Sequence, residues 1–171
     1  MTHKACKNTV LICYNTCGFK NNPTNWYISC ISSLVNQGDY PILISSCCNT
    51  KESRDALVKE FGKRCSYIWT DEKITINISF NKAVKEWIKR NEKAECYMYF
   101  DSGVNLFDQN DVVDKAHKLF KSGPYGMVTV QASNDNGVRD WFDWPENTYI
   151  RGKDFLIPIG RAYNLHCQLF S

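Results

Sequence analysis

Residues 96–101, C-Y-M-Y-F-D, form an apolar run that stops on a carboxylate, and Ser102-Gly103 turns the chain directly afterwards. A run of this kind reads as a strand buried on both faces in the middle of a parallel sheet. The carboxyl end of such a strand opens into the crevice where α/β proteins hold ligands. An acid placed there can hold a divalent cation against a diphosphate, because Mg²⁺-type ions favour one or two carboxylates together with phosphate oxygens. The blander role for Asp101, capping the next helix, fits less well, because the next helical pattern opens only near Gln109.

Two further loops belong at the same end of the sheet. Tyr14, Asn15 and Thr16 follow the first apolar run, and Cys48, Asn49 and Thr50 follow the second. Neither G-x-G-x-x-G nor G-x-x-x-x-G-K-[ST] occurs, so both familiar Gly-rich phosphate cradles are absent. A nucleotide bound here needs its phosphates neutralised differently, and a metal on Asp101 is the available route. A second chemical cluster is V-R-D-W-F-D-W at 138–144, where Asp140 and Asp143 stand among Trp141, Phe142 and Trp144. Aromatic faces suit sugar rings, and a carboxylate in an apolar surround has its pKa raised toward the range useful for proton removal. The competing reading is a satellite hydrophobic cluster under a long loop. His117 falls on a lysine-rich helical pattern and reads as solvated, His3 belongs to a terminus, and His166 lies beside Leu165 near the end of the chain.

The elements that must position these groups alternate almost without interruption. The sequence predicts strands over 9–14, 41–47, 65–69, 96–101 and 125–131, with helices over 24–36, 51–61, 77–90 and 109–121. In the helix over 77–90, Phe80, Ala83, Val84, Trp87 and Ile88 form one apolar face. Asn77 is placed to cap that helix or to serve a ligand, and Asn81 lies one turn on. Residues 132–153 read as a long functional loop, followed by a strand over 155–159 and a short helix through Leu165 and His166, within or just after which the chain stops. Strands alternating with helices of this length specify an α/β fold with a largely parallel sheet.

Composition sets the outer limits. A chain of 171 residues fits one domain with a real core. A net charge of +3 without a Lys/Arg run gives no nucleic-acid footprint. No apolar stretch approaches a membrane span, and the polar N-terminus carries no secretory signal. The nine cysteines follow no zinc-type spacing with histidines, so they read as reduced core thiols of a cytoplasmic protein.

V-L-I-C-Y-N-T at 10–16, followed by a helix ending L-V-N-Q-G and a strand, resembles the opening of GT-A glycosyltransferases of the family-2 type. Those begin with a strand running into a T-Y-N-type turn and a helix ending in S-L-x-x-Q. Residues 76–84, I-N-I-S-F-N-K-A-V, are similar to the family's Asn-bearing helix before the metal strand. Y-F-D-S-G then stands where the family carries D-x-D, and I-P-I-G-R-A-Y-N-L-H-C-Q-L-F-S at 157–171 resembles the terminal segment in which a histidine returns to the metal. The four stretches span nearly the whole chain in the family's order, and glycosyltransferase domains of large DNA viruses have a similar layout.

The resemblance implies one domain over 1–171, complete or the N-terminal part of a longer protein. Its fold would be a three-layer αβα sandwich around a mostly parallel sheet, of the nucleotide-diphospho-sugar transferase type. Tyr14 and Asn15 would border the nucleobase, Asn49 would lie near the nucleoside, and Asn77 or Asn81, with Ser102, would orient the nucleotide-sugar. Asp101 and His166 would hold Mn²⁺ or Mg²⁺. Asp140 or Asp143 would take the acceptor proton, beside an acceptor surface of Trp141 and Trp144. The implied donor is a UDP-sugar, the acceptor a glycan or glycoprotein, and the outcome inversion. Two departures stand out: Gly103 replaces the second aspartate of D-x-D, and S-S-C-C-N ends the second strand where the family usually has an aspartate. They keep open a non-catalytic nucleotide- or glycan-binding module of the same fold. A doubly wound phosphate-binding protein or nucleotidyltransferase is the third reading, with only Gly18-Phe19-Lys20 as a basic opening loop.

Overall fold

The computed structural model describes residues 10–17, 23–72, 76–89, 95–107, 109–123, 127–129, 149–151, 156–158 and 167–170. The apolar runs become strands β1 (Val10–Cys17), β2 (Ile42–Cys47), β3 (Cys65–Thr70) and β4 (Cys96–Phe100), all parallel, in the order β3-β2-β1-β4. Alternation of side chains then divides the core into two layers. Val10, Ile12, Tyr14, Ile42, Ile44, Met98 and Phe100 lie on one face, together with helices α1 (Thr24–Val35), α2 (Lys51–Phe61) and α4 (Val112–Lys121). Leu11, Cys13, Leu43 and Tyr99 lie on the other, under α3 (Ile76–Lys89). Right-handed crossovers require this split: β1 to β3 advances in one direction, and the return from β3 past β2 and β1 to β4 puts α3 on the opposite face. The result is three layers.

Local chemistry accounts for the helices. In α1, Tyr27, Cys30, Ile31 and Leu34 recur at helical spacing and are buried. In α2, the Thr50 side chain caps the first turn by accepting from the Ser53 N–H at 3.2 Å. Gly62 ends that helix with φ of 48°, a conformation open to glycine at little cost. On α3, Ala83 of the predicted apolar face is buried and Val84 packs against the core, Ser79 is buried beside them, and Ile88 is exposed. Small side chains let α3 lie close over β1 and β2. The predicted helix over 109–121 starts at 112, because residues before it turn on a Gln109 N–H to Leu106 carbonyl bond.

The last strands correct the sequence-based expectation. Residues 167–170 form strand β8 (Cys167–Phe170) rather than the end of a helix, and β8 is inserted antiparallel between β4 and β5 (Met127–Thr129). Four residues carry too little periodicity to show this, and bonding partners on both sides override local propensity. Residues 149–151, placed in the long loop by the sequence, form β6 (Tyr149–Arg151) and pair with β7 (Leu156–Pro158) in a small antiparallel sheet. No helix among the described residues is long and apolar enough to cross a membrane.

Candidate nucleotide and metal site

The strand order reverses between β1 and β4, since β1 leads outward to β2 and the chain returns to the other side of β1 through β4. Ligands of open α/β sheets bind at that reversal, at the carboxyl ends of the strands. The strand β1 runs to Cys17, three residues beyond its predicted end, so Asn15 and Thr16 pair with Ser45 and Ser46 of β2. Phe100 pairs with Tyr14, which sets Asp101, the next residue, level with Asn15. Asp101 is only 3% exposed. Its Oδ1 accepts from the Ser102 N–H at 2.7 Å, with the Ser102 hydroxyl 3.4 Å away. The Val104 N–H closes a turn onto the Asp101 carbonyl at 3.0 Å.

Alternation sends the polar groups around Asp101 to both sides of the sheet. On the α3 side, Ser79 Oγ donates to Asn15 Oδ1 at 3.0 Å and lies 2.8 Å from Ser45 Oγ. The Asn15 Nδ2 has no hydrogen bond of good geometry among the described residues. Burial first, and then the charge of Asp101, hold the Tyr99 hydroxyl far above its ordinary pKa, while the nearby Asn15 amide pulls the other way. On the α1 side, Ser46 Oγ donates to Asn49 Oδ1 at 2.7 Å, and Thr16 Oγ1 lies 3.1 Å from the same oxygen. Thr24 Oγ1 reaches Ser53 Oγ at 3.2 Å and ties the first turns of α1 and α2 together. Thr16 and Ser46 are fully buried and hold Asn49 in place at the strand ends, while the carboxylate sits at the reversal.

The fold is a three-layer α/β sandwich around a mostly parallel sheet. A solved structure similar to it is the 4-diphosphocytidyl-2C-methyl-D-erythritol synthase from Anaerococcus prevotii, with a TM-score of 0.57 and 13% identity over 95% of this chain and 71% of that one. No family model and no curated protein matches the sequence.

The structure distributes the sequence-predicted residues unevenly. Asn15, Asn49, Asp101 and Ser102 gather at the strand ends. Tyr14 is fully buried, and its hydroxyl donates to the Ser102 carbonyl at 3.1 Å, so it presents no surface to a nucleobase. Asn81 is exposed on α3, the Asn77 side chain lies outside the described residues, and Ser79 hydrogen-bonds Asn15 from α3. Asp140, Trp141, Asp143, Trp144 and His166 lie outside the described residues. The chain neighbour of His166, Cys167, pairs with Phe100, the chain neighbour of Asp101.

Sequence reasoning named Thr16 among the loop residues and missed Trp26, Ser46 and Ser79. A usable signal was Ser45-Ser46, two hydroxyls at the end of an apolar strand. Among the described residues, no cluster of three or more His, Cys, Asp or Glu side chains forms a metal cage. A single carboxylate beside a diphosphate nevertheless suits an ion of the Mg²⁺ or Mn²⁺ kind, which keeps waters and takes phosphate oxygens.

Proposed function

We propose that this chain is a metal-dependent glycosyltransferase that moves a sugar from a nucleotide-diphosphate sugar, UDP-sugar first among them, to the hydroxyl of a glycan or glycoprotein. The observation that carries the reading is the buried carboxylate of Asp101 at the strand-order reversal, with Asn49 held at the neighbouring strand ends by Thr16 and Ser46. Asn49 would lie near the nucleoside. Asp101, with His166 as a second ligand, would hold Mn²⁺ or Mg²⁺; the adjacency of Cys167 to Phe100 supports that pairing. When bound, the ion neutralises charge on the leaving diphosphate.

The acceptor oxygen attacks the anomeric carbon, the bond from that carbon to the phosphate oxygen breaks, and the nucleoside diphosphate departs. Asp140 or Asp143 takes the acceptor proton, with Trp141 and Trp144 against the acceptor sugar. Attack opposite the leaving group inverts the configuration. A second reading, a nucleotide- or glycan-binding module without turnover, draws on Gly103, which is exposed and offers no second carboxylate. Titration calorimetry with UDP, with and without Mn²⁺, is the test. Binding should require the ion and lose that dependence in Asp101→Asn, whose amide oxygen can still accept from Ser102. Metal-independent binding in the wild type contradicts the reading. Release of UDP from a panel of UDP-sugars separates the enzyme from the module.

A further inference from the structure

The turn that carries Asp101 is held from an unusual direction. Residues 101–104 form a β-turn closed by the Val104 N–H to Asp101 carbonyl bond, with Ser102 and Gly103 at its centre. The carbonyl between those two residues accepts two side-chain donors, Tyr14 Oη–H at 3.1 Å and Trp26 Nε1–H at 3.1 Å. Tyr14 is fully buried in β1, and Trp26 is half-buried in the first turn of α1. Two scarce donors from separate elements are thus committed to one loop carbonyl.

The central peptide of a β-turn has two common orientations, related by rotating it about 180°. One keeps φ negative at the third residue, and the other makes that φ positive, which glycine tolerates readily. Gly103 could adopt either, yet its φ lies outside the positive region. The two donors select the observed orientation by drawing the Ser102 carbonyl inward. Because C=O and N–H point in opposite directions across a trans peptide, the Gly103 N–H is turned to the outer side of the turn. There Gly103 is exposed, and a Cβ built on it meets nothing within 4 Å.

We infer that Tyr14 and Trp26 are positioning residues that lock this peptide so that the Gly103 N–H, beside Asp101, donates to an oxygen of a diphosphate ligand. This rests on the nucleotide-binding reading above. With the peptide rotated, a carbonyl oxygen would replace the N–H and face the same anion, turning attraction into repulsion.

The test is calorimetric titration of the full chain with UDP and Mn²⁺. The double variant Tyr14→Phe/Trp26→Phe removes both donors and keeps an aromatic ring, smaller at position 26, at each place. It should bind about ten- to a hundredfold more weakly, the worth of a charge-assisted hydrogen bond, with an unchanged circular dichroism spectrum. Adding Gly103→Ala should restore most of the loss, since a Cβ disfavours positive φ and so blocks the rotated form. A merely structural role for the two rings would not respond to that third substitution. Wild-type affinity in the double variant, or a loss that Gly103→Ala leaves untouched, overturns the inference alone. Absence of Asp101-dependent binding in the wild type overturns the reading beneath it. Should the double variant not fold, Trp26→Phe with and without Gly103→Ala decides the matter, a severalfold loss and its recovery being the expected pair.

Discussion

Asn49 owes its place to its neighbour Cys48. Cys48 holds φ at 57°, a left-handed conformation that costs an L residue with a Cβ about 1–2 kcal/mol. Its N–H bonds the Thr70 carbonyl at 2.9 Å, and its thiol approaches the Asp71 carbonyl at 3.2 Å. This kink takes the chain from the last residue of β2 to Asn49, which meets Thr16 and Ser46. Such strain in a loop at the strand ends matches its frequent occurrence at ligand sites. Stability should therefore rank Cys48→Gly at or above the wild type, and Cys48→Val below it by about 1–2 kcal/mol, since a β-branched residue tolerates positive φ worst. Urea midpoints at constant slope read the order directly, and a valine variant as stable as the glycine variant contradicts it. The sequence made Asp101 and Asn49 legible, because each follows an apolar run directly. Cys48 read as a loop residue and a reduced thiol, and Ser79 drew no reading of its own. Backbone torsion at one residue and the contacts of one helix serine with two distant strands leave no mark in composition or spacing.

At the scale of elements, α1 and the two residues after it act as a rail for the irregular segment between β4 and α4. Trp26, Ser29, Ser33 and Gln37 stand at i, i+3, i+7 and i+11. They meet in turn the Ser102 carbonyl, the Asn105 amide, the Leu106 N–H and, through Gln37, both the Gln109 carbonyl and the Val113 N–H. Gln37 is buried and also donates to Ser33 O at 3.2 Å, so one amide satisfies three backbone groups. Segments of this length without secondary structure need such fixation to stay in one conformation. Replacing Gln37 by leucine should cost about 2–4 kcal/mol, given about 1–3 kcal/mol for each buried polar group left unpaired and partial relaxation of the others. Limited proteolysis should cut the 101–111 segment faster in that variant, and an unchanged cleavage rate there refutes the rail. The apolar face of α1 was plain in the sequence, while its polar stripe was not. Each of its partners lies more than 70 positions away. The same distance hid β8, whose partners Tyr97, Met98, Tyr99 and Phe100 stand far upstream of residues 167–170.

Across the whole molecule, thiols take part in both core layers. Cys13 lies under α3, and Cys65 and Cys96 lie on the side of α1, α2 and α4. Burial pushes all three upward from a usual value of 9.0, Cys96 to about 11 and Cys65 to about 12, and Cys13 beyond that. For an acid whose folded pKa is raised, the folded state keeps its proton while the unfolded state releases it. Stability is therefore unaffected below pH 9 and falls as pH rises from 9 toward the folded value. Each fully buried thiol contributes a slope of up to about 1.4 kcal/mol per pH unit in that window. Urea unfolding in reductant should then give a constant free energy from pH 7 to about 8.5 and a steep decline beyond 9. Cys96→Ala, which starts lower at neutral pH through lost packing, should decline less steeply between pH 9 and 11 because one titrating group is gone. Parallel declines for the variant and the wild type would exclude Cys96 as a titrating group. An onset at pH 10, the ordinary value of the phenol, rather than 9 would assign the loss to the tyrosines, of which Tyr67 is pushed up to about 12 by burial and then by Cys65, and the two onsets are separable by measurements half a pH unit apart.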